Sequence, residues 1–220
     1  MNVSLVNEVS LTDAQMQTIF LALDAHAKKV EIAYGLPRTV LALGKKENWQ
    51  NANFYLTEKQ PAGITNGMAL AYRVVENGIP TVYASYRKSG KLFGRYAKPF
   101  VLKGRTVSPA RMGNGYITVL AHELSELIVA PMLDQFSGVD STGKSWRKEV
   151  CDPVLGAYYF ANISGQDCVL PDFVLPSFWD TKGVAPFSYL GSKVGPLVWT
   201  HPSYAWFRSG ISKLLTRVTF

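Results

Sequence analysis

Apolar residues recur along this chain in two rhythms, and the changes of rhythm mark out its elements. Met16, Ile19, Phe20, Leu23, Ala27 and Val30 fall at helical spacing behind Thr12-Asp13-Ala14-Gln15, a capping-box pattern with Thr12 as N-cap and Gln15 three residues on. A first helix of about four turns is predicted, closed by Gly35 and Pro37. Residues 39–43 have the β-branched, apolar content of a buried strand, and residues 53–56 and 68–75 are two further candidates. Glu76-Asn77-Gly78 is a turn signal. Apolar and aromatic residues answer it over 79–86, so the two runs should pair as a hairpin.

Gly113-Asn114-Gly115 breaks this pattern, and from Tyr116 to Val129 the period returns to about 3.6 until Pro131 forbids continuation. Beyond this helix, residues 137–143 read as a polar loop. Pro171, Pro176, Pro186, Pro196 and Pro202 then predict short strands and ordered loops, not long helices. Residues 206–215 read as a final short helix. The expected fold is α+β over one domain, 1–220. A helix-plus-sheet half (1–112) is followed by a half with the second, motif-bearing helix and a loop-rich remainder (113–220), and the mixed sheet packs on both helices.

A hydrophobic share of 47% and a charged share of 18% over 220 residues describe a globular chain, too apolar for disorder and too interrupted for a membrane span. The opening residues show no basic segment followed by an apolar run, so no secretory signal is expected, and the cytoplasm of the producing cell is the default location. Two cysteines, Cys151 and Cys168, are too few for a disulfide framework and lack the spacing of a thiolate zinc site. They read as small buried residues, with geometry deciding whether they pair.

The net charge of +7 is unevenly spread. Between Asn77 and His122 there is no acidic residue, while Arg87, Lys88, Lys91, Arg95, Lys98, Lys103, Arg105 and Arg111 all fall there with aromatics between them. One reading is an electrostatic footprint for nucleic acid or an acidic partner, with Arg87, Lys88, Lys91 and Arg95 at its centre. The other is the solvated face of a hairpin. The second is favoured, because no nucleic-acid motif accompanies the charges.

The chemistry concentrates in Ala121-His122-Glu123-Leu124-Ser125-Glu126. Residues four apart on a helix stand within about 40° of each other, so His122 and Glu126 can hold one divalent ion. Glu123, offset on the wheel, could take a proton from water there as a general base. This is the logic of the H-E-x-x-H helix, with Glu126 in place of the second histidine. A carboxylate is an acceptable zinc ligand, and its charge widens the choice to other divalent ions. The opposing stripe of Ile117, Leu120, Ala121, Leu124, Leu127 and Ile128 should be core. The competing reading of the polar trio is plain solvent exposure.

A third ligand is needed. Asp134, Asp140, Glu149, Asp152, Asp167, Asp172 and His201 are downstream candidates, and Glu149 and Asp152 are favoured for their compact Glu-Val-Cys-Asp-Pro unit. Either could ligate while the other orients a ligand from behind. The plainer readings are a surface charge for Glu149, a turn start for Asp152-Pro153 and a satisfied helix residue for His26.

These motifs, taken in order, resemble a family of metallopeptidase-like proteins common in tailed-phage genomes and prophages. In it a His-Glu-x-x-Glu helix precedes a Glu-x-x-Asp-Pro unit and an Asp-Phe-Val-x-Pro segment. The matching pieces here are His122 to Glu126, Glu149 to Pro153, and Asp172-Phe173-Val174-Leu175-Pro176, with Leu70-Ala71-Tyr72 and Gly78-Ile79-Pro80 upstream. The resemblance covers roughly residues 10–205. It implies a zincin-like fold, a zinc or other divalent-metal site, and a place in phage biology. Synthesis would be in the host cytoplasm, with a place in the virion among other virion proteins or in a homo-oligomer, and a peptide substrate if the site turns over. The chain departs from the family at Ala130-Pro131, where Asp-Pro is common, and at Pro202-Ser203-Tyr204, where Gly-Gly-Tyr is common.

Overall fold

The computed structural model describes residues 1–44, 52–57, 70–85, 100–102, 105–107, 113–199, 203–209 and 215–219. Strand β1 (Asn2–Asn7) enters a five-stranded sheet and leads into helix α1 (Asp13–Tyr34). Thr12 caps α1 with both halves of the capping box in place, a device that contributes about 1 kcal/mol. The far end closes on Gly35 at φ 61°, with Gly35 N–H donating to Ile32 and Leu36 N–H to Glu31. At 22 residues α1 runs to about six turns, longer than the four predicted, and ends at Gly35 as expected.

The remaining strands of the sheet are β2 (Val40–Leu43), β3 (Ala52–Thr57), β4 (Ala71–Glu76) and β5 (Ile79–Ser85), in the order β2-β1-β3-β5-β4. All neighbours are parallel except β4 and β5, the predicted hairpin, whose turn places Asn77 at φ 51° and Gly78 at φ 78°. The expected buried strand at 39–43 is instead an edge strand with Val40 and Leu43 exposed. Leu5, Phe54 and Val82 lie in register across the sheet and share one core with Leu23 of α1 and with Leu120 and Leu124 of the next helix.

That helix, α2 (Gly113–Val129), packs against α1 and the sheet. It includes Gly113 and Asn114, where the sequence suggested a break. Tyr116 donates to the Ala84 carbonyl at 3.2 Å and Thr118 to the Val169 carbonyl at 2.7 Å, which fixes the rotation of α2 and hence the direction of its polar face. Strands β6 (Phe100–Leu102) and β7 (Arg105–Val107) form a small hairpin. Arg87, Lys88, Lys91 and Arg95 lie outside the described residues.

The second half is richer in strand than expected. Strand β8 (Phe136–Val139) takes up the start of the predicted polar loop and β9 (Lys144–Arg147) begins just past its end, the two hinged on Asp140, whose carboxylate accepts from the Thr142 and Lys144 amides at 2.8 and 3.0 Å. Strands β10 (Tyr158–Ile163) and β11 (Gln166–Pro171) form a hairpin. The predicted final helix is replaced by β12 (Tyr204–Ser209) and β13 (Leu215–Thr219), which complete an antiparallel sheet in the order β13-β12-β9-β8. A strand partner 60 residues upstream overrides the local pattern. Cys151 and Cys168 are buried and unpaired with each other. Among the described residues no helix is long and apolar enough to cross a membrane. The class is α+β.

Candidate metal centre

Helix α2 carries His122, Glu123 and Glu126 on the side away from its apolar stripe, yet that side is covered, with Glu123 and Glu126 only 8% and 4% exposed. Solvent exposure is therefore not their explanation. Their donor atoms lie within 4.8 Å of one another. The chain returns beneath them after β9, where residues 149–151 lead into a 3-10 turn, Asp152–Val154, with Pro153 setting its first step. The Cys151 amide donates to Glu126 Oε1 at 3.4 Å, and Val174 N–H donates to the Val150 carbonyl at 2.8 Å, which anchors the segment on both sides.

This turn brings Asp152 Oδ1 to 3.1 Å from His122 Nε2, while Glu126 Oε1 lies 3.2 Å from the same nitrogen. His122 Nε2 is buried between these two oxygens. Around a tetrahedral zinc, neighbouring ligands sit about 3.3–3.4 Å apart, close to both observed separations. His122, Glu123 and Glu126 form a group that could hold a divalent cation, and Asp152 lies against its histidine.

Glu149 takes a different place. Its carboxylate lies between Arg73, with which it makes a short ion pair, and Arg147, whose Nε is 2.8 Å from Glu149 Oε1. Sequence left Glu149 and Asp152 interchangeable; the structure brings Asp152 to the histidine and Glu149 to two guanidinium groups. Arg73 also approaches Glu126 at 3.5 Å and Glu123 at 3.8 Å, and donates to the Ala130 carbonyl at 3.0 Å. Sequence reasoning missed it. The available signal was a lone cation at the centre of an apolar strand, in register with core residue Val82.

The electrostatics follow from a count of charges. Glu123, Glu126, Glu149 and Asp152 face Arg73 and Arg147, so with a neutral imidazole two negative charges remain in a water-poor space. Burial alone would lower the His122 pKa, but the Glu126 and Asp152 carboxylates raise it well above the usual histidine value. Burial and the neighbouring Glu126 charge push Glu123 up to about 7, while Glu126, despite its own burial, is held below the usual carboxylate range by His122 and Arg73. Two protons or one divalent ion can thus cancel the same deficit.

The other candidates are accounted for otherwise. Asp172 is fully buried and accepts from the Phe173 and Leu190 amides and the Ser192 hydroxyl at 2.9, 3.0 and 2.7 Å, so it ties down the 188–193 loop. Asp140 organises the β8–β9 turn, Asp134 is exposed, and His201 and the side chain of Asp167 lie outside the described residues.

His26 sits behind α2, as the satisfied helix residue the sequence suggested. Ser125 donates its hydroxyl hydrogen to the Ala121 carbonyl at 2.7 Å, so its oxygen must accept from His26 Nε2, also at 2.7 Å. Nδ1 then accepts from the Tyr159 hydroxyl at 2.7 Å. Burial, with help from the Lys29 and His122 charges, lowers the His26 pKa to about 3. The unfolded chain therefore binds the extra proton first, and stability falls as pH drops from about 6.5 toward 3, by about 2 kcal/mol at pH 5 from this residue. Nitrogen-15 NMR at pH 5 should find His26 neutral and protonated on Nε2. An imidazolium signal at that pH would contradict the network.

Compared with known proteins, the chain matches no family model, no curated protein and no solved structure.

Proposed function

We propose that this protein holds one divalent metal ion through His122, Glu126 and Asp152, and uses the site for metal-assisted hydrolysis of an amide bond within a zincin-like fold. The observation that carries the reading is the buried His122 Nε2, flanked at 3.1 and 3.2 Å by the carboxylate oxygens of Asp152 and Glu126. An ion held there would polarise a carbonyl and make water a better acid. Glu123 stands beside the ligand set, where a carboxylate can accept a proton from water and return it to a leaving amine. Arg73 holds Glu123, Glu126 and Glu149 in one arrangement, and Glu149 in turn orients Arg73. The phage-family resemblance supports zinc as the ion and a virion-associated setting, with synthesis in the host cytoplasm.

A second reading keeps the same cluster as a structural ion-pair network in a virion protein without turnover. Arg73 favours it, because the guanidinium already partly neutralises Glu123 and Glu126. The two readings part on metal linkage. An ion that binds only the folded chain at a thousand times its dissociation constant adds about 4 kcal/mol, which for a domain of this size raises the melting temperature by about 10 °C. Excess chelator should remove that increment and added zinc restore it. A melting temperature indifferent to both would leave the structural reading standing.

A further inference from the structure

The sheet β13-β12-β9-β8 contains Lys144, Arg147, Arg208 and Arg217 and not one acidic residue within its four strands. Its register sorts these cations. Trp206 stands opposite Arg217, Arg208 opposite Ser145, and Phe136 opposite Arg147, which puts Arg147, Arg208 and Arg217 on one face with Trp206 and Phe136. On that face the Arg208 guanidinium lies 4.2 Å from the Phe136 ring centre, and those of Arg147 and Arg217 lie 5.2 and 6.0 Å from the ring of Trp206. Arg208 and Arg217 are exposed, and among the described residues no carboxylate pairs with Arg208. Arg147 is the link inward, since the same side chain that lies over Trp206 reaches Glu149 at 2.8 Å.

We propose that this face binds an acidic polypeptide segment and leads it toward the His122–Glu126–Asp152 centre. The choice of a peptide rests on the reading of that centre as a site of amide hydrolysis. A guanidinium lying over an aromatic ring is held flat and keeps its N–H edge for the paired hydrogen bonds that a carboxylate accepts. Single-stranded nucleic acid would need open ring faces for base stacking, and here the rings already carry cations. The acidic side chains of the segment would meet Arg208 and Arg217 in a field that no acid on these strands opposes. Arg147, only partly exposed and engaged with Glu149, marks where the surface runs into the site.

The test is fluorescence anisotropy with the full-length protein and three labelled probes at physiological salt: a Glu- and Asp-rich dodecapeptide, its Gln- and Asn-substituted counterpart, and a single-stranded oligonucleotide of equal charge. The acidic peptide should bind, its neutral counterpart should not, and the oligonucleotide should bind more weakly. Arg208→Gln with Arg217→Gln should weaken the acidic peptide at least about tenfold, each lost charge-assisted pair corresponding to about that factor. The melting temperature and metal content should stay unchanged. Arg208→Lys should recover only part of the loss, because it restores charge without the planar fork. If the double variant does not fold, Arg208→Gln alone is read. Equal binding by wild type and variant, tighter binding of the oligonucleotide, or no binding of the acidic peptide would each overturn the proposal. Binding is measured with and without chelator, so the surface and the metal centre can fail separately. Arginine-dependent binding by a chain that holds no metal retires the centre alone, and a metal-loaded chain that ignores the peptide retires the surface alone.

Discussion

Arg73→Met is expected to destabilise the protein by about 3–5 kcal/mol, the cost of leaving buried carboxylates without their counter-charge. Methionine fills the same stem volume but supplies no positive charge, so Glu149, Glu126 and Glu123 lose the group that lies among all three. The Ala130 carbonyl, just past the end of α2, loses its donor as well. In a domain of this size the melting temperature should fall by about 10 °C. Adding Glu149→Gln should recover part of the loss, since one of the stranded charges is then removed. A thermal melt of the two variants decides it. An unchanged melting temperature in Arg73→Met would show that Arg73 does not organise the cluster.

Glu123→Gln should reduce hydrolysis by about a hundredfold to ten thousandfold, the usual contribution of a positioned proton-transfer group. Burial raises the pKa of this side chain to about 7, so the uncharged form is well populated near neutral pH, and glutamine copies that form in shape and polarity. Stability and metal content should therefore change little. His122→Ala differs in kind, because it removes a ligand and leaves Glu126 and Asp152 facing one another, so both metal and stability should be lost. Rates on a broad peptide panel, set beside metal content, separate the two roles. If the wild type cuts nothing and Glu123→Gln behaves like it in every assay, including assembly into infectious particles, Glu123 is a structural residue and the second reading holds.

The elements that sequence made legible are those whose cause is local. Thr12 and Gln15 cap α1, Asn77-Gly78 turns the β4–β5 hairpin, and the 3.6 period of α2 sets its polar trio on one side. What could not be read is what distant chain supplies. Residues 206–215 read as helix because β12 is aromatic toward both sides, with Phe207 opposite Trp146 on one face and Trp206 under arginines on the other, so no alternation shows. The segment 137–143 read as loop because Ser137 and Gly138 have weak strand character. Pairing with β9, and the Trp146 amide donating to Ser137 Oγ at 2.9 Å, make the strand. At the centre, His122, Glu123 and Glu126 were visible as one helical spacing. Asp152 over Glu149, and Arg73 as the shared counter-charge, depended on contacts across 30 to 76 residues of chain.

If His122, Glu126 and Asp152 together hold a divalent ion, the purified chain should carry it. Elemental analysis of the purified full-length protein, dialysed against metal-free buffer after exposure to zinc, tests it most directly when His122→Ala is carried through beside it. Close to one ion per wild-type chain is expected, and far less in the variant. A folded wild type that retains no ion, or a variant that retains as much as the wild type, would contradict it.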